Sequence, residues 1–344
     1  MRRAGDGGVA SRVRALVYRS ARQMVLEERP TPALVPGEVV LKVDAVGVCG
    51  SELHGYFGHD KTRSPGMIFG HEIAGRIVET TSERYPIGTL VTCNSAVHCG
   101  RCEFCLDGRD NHCLERKSIG KWRPGGHSEY VSLPIGALID VPQTLDPVAV
   151  ALVEPVATPL HGIHVALPML ARPLAQARCL VIGGGAIGFI AAMILRRYGV
   201  TELTVIEPNA GRRALVARYA RCATLDGRDA MPAHDAFEFV FDAVGSETSL
   251  ATALGAVRRG GVIAEVGLQD QSVTLDIQRL VRAGIAIVGG ANYPTIELVT
   301  AVRLIASGLF PDLDWVERRP LADGPQVFEA LASGHPYPKV VLQP

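Results

Sequence analysis

Residues 178 to 195, RCLVIGGGAIGFIAAMIL, run an apolar strand into a glycine turn and out into an apolar helix. No other stretch limits the fold as much. Gly183, Gly185 and Gly188 are spaced G-x-G-x-x-G, and an acidic residue, Glu207, follows about twenty positions on, after the strand-like LTVI. The glycines permit a tight turn, a close approach of backbone to a pyrophosphate, and close packing of helix on strand. The amides of Ala186 and Ile187 then face the anion from the helix N-terminus. Glu207 is placed to accept hydrogen bonds from ribose hydroxyls and to repel a 2′-phosphate, which favours NAD over NADP. Arg212 and Arg213 qualify this, since they either pair with such a phosphate or lie on the next helix.

Strand and helix patterns keep alternating after this turn. ELTVIEP is followed by NAGRRALVARYA, and FEFVFDAVG by SETSLATALGAVRRGG and then VIAEVG. Such alternation predicts parallel βαβ units and a doubly wound sheet over about 155–290. Ligands bind at the carboxyl ends of parallel strands, so Val244 and Val266, which follow two later strands, are expected on the nicotinamide side. The segment before residue 154 has short apolar runs punctuated by proline and glycine, as in a small barrel or sandwich. Helices at TIELVTAVRLIASG and PQVFEALASG and a strand at KVVLQP close the chain, over 291–344. A length of 344 residues suits two domains.

Formal net charge is zero, so neither a nucleic-acid footprint nor an anionic membrane partner is supported. The uncharged run Cys179–Leu195 falls short of a spanning helix. The opening MRRAGDGGVASR lacks an apolar core and is expected to be a loose terminus rather than a leader. A cytoplasmic protein acting on small molecules is the expectation.

Cysteine is concentrated in HCGRCEFCLDGRDNHC, a C-x2-C-x2-C-x7-C run formed by Cys99, Cys102, Cys105 and Cys113 in a lobe at about 93–120. Four thiolates at this spacing wrap one tetrahedral Zn²⁺ and leave no open position, which makes the site structural. Arg101, Arg109, Arg116 and Lys117 are near enough in sequence to offset its charge. Disulfides suit short secreted chains better, and the spacing fits neither common ferredoxin pattern.

Cys49 lies outside that lobe, in the glycine-flanked turn GVCGSELHGY. IFGHEIAG offers His71 and Glu72, and EPVATPLHG offers Glu154. Alone, each has a dull explanation. Together, a thiolate, an imidazole and a carboxylate can surround a zinc with an open position, the catalytic kind of site.

With these segments in view, the chain from about Val13 to Lys339 resembles the zinc-dependent medium-chain alcohol and polyol dehydrogenases. VGVCGSELH resembles their catalytic-zinc cysteine segment, GHE the segment supplying the histidine, the four-cysteine lobe their structural zinc loop, GGGAIG their dinucleotide turn and KVVL their last strand. The resemblance implies a GroES-like catalytic domain over 1–154 joined to a Rossmann domain, with two zincs per chain and NAD as cofactor. It also implies a homodimer or homotetramer, with Ile285–Gly289 placed to pair across a dyad. Glu154 stands where the liver-type pattern has a second cysteine, as in the sorbitol, threonine and butanediol branches. Cys49 and one carboxylate neutralise Zn²⁺, so one of Glu72 and Glu154 is expected to bind at a time, with the other supporting it. The resemblance implies a proton path through the Ser51 hydroxyl and then the cofactor ribose, with His54 near the outlet, a task for which the ordinary histidine pKa is suited. The implied reaction is hydride transfer between a secondary alcohol and the nicotinamide. Its competitors are a zinc-free quinone or enone reductase of the same superfamily, and a non-enzymatic binding protein. Tyr56, Phe57, Trp122, Asn292 and Tyr293 are candidates for the substrate pocket.

Overall fold

The computed structural model describes residues 11–290 and 292–344 in full and the backbone of residues 2 and 3. Most of MRRAGDGGVASR therefore lies outside the described residues. No described helix is long and apolar enough to cross a membrane.

Six parallel strands form one sheet, in the order Ala223–Leu225, Leu203–Ile206, Cys179–Ile182, Phe237–Asp242, Val257–Glu265, Ala286–Gly289. In sequence terms this is the 3-2-1-4-5-6 order of a dinucleotide-binding fold. Its first strand, all four residues buried, runs into the helix Ala186–Arg197 through the glycine turn. Both faces are covered, which explains near-continuous apolar strands such as FEFVFD, fully buried despite its acids.

The second sheet is built from both ends of the chain. Its central strand, Glu38–Gly47, pairs antiparallel with Glu72–Thr80, with Tyr130–Pro134 and with the last strand, Lys339–Gln343. Leu90–Cys93, Leu138–Asp140 and Val316–Pro320 extend it. The register sets Gly47 opposite both Glu72 and Val341. That register brings a residue near the C-terminus, Lys339, beside Glu72.

The helix Val153–Ala166 joins the two parts and is almost wholly buried. It packs against Ala186–Arg197 on one side and Thr295–Ala306 on another, within the largest apolar cluster. Glu154 sits in its first turn.

Candidate metal centre and cofactor cleft

Cys49 follows the central strand and caps the helix Gly50–Tyr56, where the sequence suggested only a turn. His71 and Glu72 stand at the start of the neighbouring strand. A Cys49 sulfur, a His71 ring nitrogen and a Glu72 carboxylate oxygen all lie within 4.8 Å of one another. A tetrahedral zinc with bonds of about 2.0–2.3 Å needs donors roughly 3.3–3.8 Å apart, so this trio needs little closure. Gly47 makes room for it. A Cβ there would fall 1.6 Å from Glu72 Oε2.

Each donor is held by a buried partner. Glu52, fully buried, accepts from the Gly70 amide at 2.8 Å, from His71 Nδ1 at 2.9 Å and from the Cys49 amide at 3.2 Å. With Nδ1 donating to Glu52, His71 presents Nε2 to the donor cluster. Burial opposes a charge on Glu52, but His127, His71 and Arg63 reverse this and hold its carboxyl below the ordinary range. Glu72 is ion-paired with Lys339 Nζ, both nearly inaccessible, and that ammonium also donates to the Val48 carbonyl at 2.9 Å. Burial opposes the Lys339 charge as well, and Glu72 and Cys49 outweigh it. Neither Glu52 nor Lys339 was singled out from the sequence. The i, i+3 spacing of Glu52 from Cys49 at a helix start is the one local signal that could have found it.

Glu154 flanks the trio. Its Oε1 lies 3.8 Å from His71 Nε2 and accepts from the Tyr293 hydroxyl at 2.6 Å. Burial holds the His71 charge down, but Glu52 and Cys49 prevail and draw positive charge to the ring. A cluster of sulfur, nitrogen and oxygen donors that attracts positive charge fits zinc, the borderline-soft cation.

Ser51 Oγ donates to Cys49 Sγ at 3.4 Å. His54 is exposed one turn further along the same helix. Of the proposed pocket residues, Tyr56 is buried and gives its hydroxyl to Glu329, Phe57 stacks on His59, and Trp122 is exposed. Asn292 adopts a left-handed backbone, φ 52°, next to the buried Tyr293.

In the lobe the sulfurs of Cys99, Cys102, Cys105 and Cys113 also lie within 4.8 Å of one another, with Cys102 and Cys105 3.4 Å apart. All eight cysteines are free. Amide donation from Cys105 is the main cause that lowers the Cys102 thiol to about 6, while burial and then the Cys102 contact push Cys105 up to about 12, so the pair shares its proton, with the thiolate on Cys102. Arg101 and Arg109 pair with Glu115 and Asp107.

At the glycine turn, a Cβ on Gly188 would meet the Gly183 carbonyl oxygen at 1.8 Å, so helix and strand touch through backbone there. Above Gly185 the space is open, and Arg212 Nη1 is its one neighbour at 3.9 Å. An open turn beside a guanidinium fits a pyrophosphate. The buried Glu207 accepts from the amides of Gly184 and Asn209, each at 2.7 Å. Arg212 Nε donates to the His335 carbonyl and Arg213 to the carbonyls of Glu207 and Pro208, so backbone partly occupies both.

Two family models match the chain, the alcohol dehydrogenase GroES-like domain over residues 35–143 and the zinc-binding dehydrogenase over 186–307. The chain belongs to the zinc-binding medium-chain alcohol dehydrogenases. Family relatives include the L-galactonate-5-dehydrogenase of Escherichia coli K12, 28% identical over 93% of this chain and 95% of that protein. An L-threonine 3-dehydrogenase of Cutibacterium acnes is 29% identical over 90% and 92%. Among solved structures, acetophenone reductase from Geotrichum candidum in complex with NAD superposes with a TM-score of 0.87, at 28% identity over 98% of this chain and 99% of that one. Family membership makes the chain an oxidoreductase of CH–OH groups that uses zinc and a nicotinamide dinucleotide, with hydride passing between a secondary alcohol and that cofactor.

Proposed function

We propose that the chain oxidises a small secondary alcohol carrying further polar groups, such as a polyol or sugar-derived alcohol, with NAD as the preferred acceptor. The Cys49–His71–Glu72 trio, built from two segments and closed by a third at Lys339, carries this reading. In this reading Cys49, His71 and Glu72 hold the catalytic zinc, while Cys99, Cys102, Cys105 and Cys113 hold a structural one. Bound zinc supplies Lewis acidity that favours loss of the alcohol proton, and NAD supplies the hydride acceptor. The chain's residues do the rest. Glu52 fixes the His71 ring. The Ser51 hydroxyl relays the substrate proton, accepting it as it gives up its own outward, and His54, exposed one turn away, stands near the outlet to solvent. The glycine turn and the residues Ala186, Ile187, Val244 and Val266 position the dinucleotide, and Glu207 meets its ribose. Ser51 and Glu154 put polar groups beside the trio, and the L-galactonate relative acts on a substrate of the corresponding class, which supports a hydroxyl-rich substrate.

Among the described residues the strand Ala286–Gly289 pairs on one side only, and with the exposed Leu268, Ile277 and Val281 near it this supports pairing with a second copy. We place the enzyme in the cytoplasm. Metal content on protein purified without chelator, paired with NAD reduction over polyols, sugar acids, amino alcohols and simple secondary alcohols, tests the reading. Two zincs per chain are expected, with one zinc and the turnover lost in Cys49→Ser. One zinc in the wild type, or turnover that survives Cys49→Ser after zinc is added back, overturns it.

A further inference from the structure

Two glutamates border the metal trio, and each is tied back by a different buried group. Glu72 is bound to an ammonium, Lys339. Glu154 is bound to a hydroxyl, Tyr293, at 2.6 Å. A phenol has one proton, and here it goes to Glu154. In its 2.9 Å contact with Ser95 Oγ, the Tyr293 oxygen is therefore the acceptor, so the phenol is gripped from both sides.

The segment carrying Tyr293 is itself fixed by the cysteine lobe. Asp110, between Cys105 and Cys113, accepts from the Thr295 amide at 2.9 Å and from the Thr295 hydroxyl. Asn94, upstream of Cys99, donates to the same Thr295 oxygen at 2.9 Å. On the other side of Tyr293, a Cβ at Gly290 would meet the Gly162 Cα at 2.9 Å, so the segment lies against the helix that bears Glu154. Asn292 takes up the left-handed turn that this path needs. Four polar side chains with exposures of 2–8% (Asn94, Ser95, Asp110 and Glu154) thus converge on two neighbouring positions of one segment, Tyr293 and Thr295. Nothing in the apolar packing requires such a concentration.

We propose that Tyr293 is a positioning residue that keeps Glu154 out of the metal's donor set, and that the cysteine lobe holds Tyr293 in place through Asp110 and Thr295. The proposal rests on Cys49, His71 and Glu72 being the donors. A catalytic zinc must keep a position for substrate. Glu154, with an oxygen 3.8 Å from His71 Nε2, is the group nearest to filling that position, and the phenol restrains it. The lobe then has a function beyond folding its own loop: it sets whether the substrate position stays free.

Tyr293→Phe in the zinc-loaded, full-length enzyme tests this. With Glu154 released, the zinc gains a ligand. Its removal by chelator is expected to slow several-fold, opposite in sign to the loss that changing a ligand's supporting partner causes. The alcohol KM is expected to rise while NAD affinity holds. Asp110→Asn, which keeps shape and weakens the hold on Thr295, is expected to shift both readouts the same way by less, and it covers the case in which Tyr293→Phe misfolds. Faster zinc loss with unchanged KM overturns the proposal, because Tyr293 would then be supporting Glu154 as a ligand. Wild-type behaviour of Tyr293→Phe also overturns it. A shift in Tyr293→Phe with none in Asp110→Asn overturns the role of the lobe. A wild type holding only the lobe zinc refutes the donor assignment instead, which keeps the two failures apart.

Discussion

Glu52→Gln is the substitution whose effect the geometry fixes most tightly. The carboxylate is fully buried and serves as acceptor on both oxygens. Oε1 takes the Gly70 amide and His71 Nδ1, and Oε2 takes the Cys49 amide. Glutamine keeps one acceptor oxygen and turns the other position into a donor. If the oxygen stays with Gly70 and His71, the new NH₂ faces the Cys49 amide, donor against donor. If it turns over, His71 loses its partner. Either way at least one buried donor is left unmade, at a cost of about 1–3 kcal/mol. The negative charge opposite the imidazole is lost too. Changes to such carboxylate–histidine partners weaken metal affinity by about 10–100-fold, roughly 1.4–2.8 kcal/mol. Chelator competition on the zinc-loaded enzyme measures this directly. Two classes of zinc are expected, and only the one lost in Cys49→Ser should weaken, while the lobe zinc serves as the internal control. Equal weakening of both classes would mean general destabilisation. Catalytic-zinc affinity within twofold of wild type would refute the assignment of Glu52 as the partner of His71.

Two further outcomes follow from the cofactor domain. Gly188→Ala would drive a methyl to 1.8 Å from the Gly183 carbonyl oxygen, so the turn must open; the NAD KM should rise by more than tenfold and Tm should fall, measured by steady-state kinetics and calorimetry. Glu265 ends a strand opposite Asp242, and burial, with the Asp242 charge second, raises its carboxyl from 4.5 to about 8. A raised carboxyl costs the folded state increasingly as pH climbs from about 4.5 to 8, since the unfolded chain ionises first. Glu265→Gln should therefore gain stability over wild type progressively across that window in denaturant titrations, and a constant difference from pH 5 to 8.5 would contradict the shift.

What the sequence disclosed depended on how local the information was. The glycine turn, the cysteine lobe and the pair His71–Glu72 each lie within one short segment, and their chemistry is set by spacing. The strand–helix alternation after Arg178 was legible for the same reason. Glu52 was hidden in plain view: a glutamate in the first turn of a short helix looks like a solvated residue until the fold closes Gly70 and His71 over it. Lys339 was out of reach, because it stands 267 residues from Glu72 and meets it only through the pairing of the last strand with Glu38–Gly47. Tyr293 was among the pocket candidates, but its hold on Glu154 depends on two helices and a lobe packing together. Tyr56 was a pocket candidate too, and the fold gives its hydroxyl to Glu329.

Lys339 also changes the electrostatic argument about the two glutamates. Counting only the Cys49 thiolate and one carboxylate against Zn²⁺ leaves no charge for a second ionised glutamate. With the ammonium included, one thiolate, the carboxylates of Glu72 and Glu154, one Lys339 and one divalent cation sum to zero. Against burial, Glu52 is held low chiefly by the neighbouring His127 and His71, with Arg63 contributing less. The ammonium thus offsets a second carboxylate where an unpaired buried charge is costly, although burial still pushes the Glu154 carboxyl up. Charge no longer selects the ligand, and that selection falls to the tethers. The ion pair orients Glu72 within the compact trio, and the neutral phenol restrains Glu154 beside it. The phenol gives Glu154 a hydrogen bond without a counter-charge, whereas Lys339 gives Glu72 both. Glu154 is thus the carboxylate that can move with the smaller loss, and the one whose position a single hydroxyl controls.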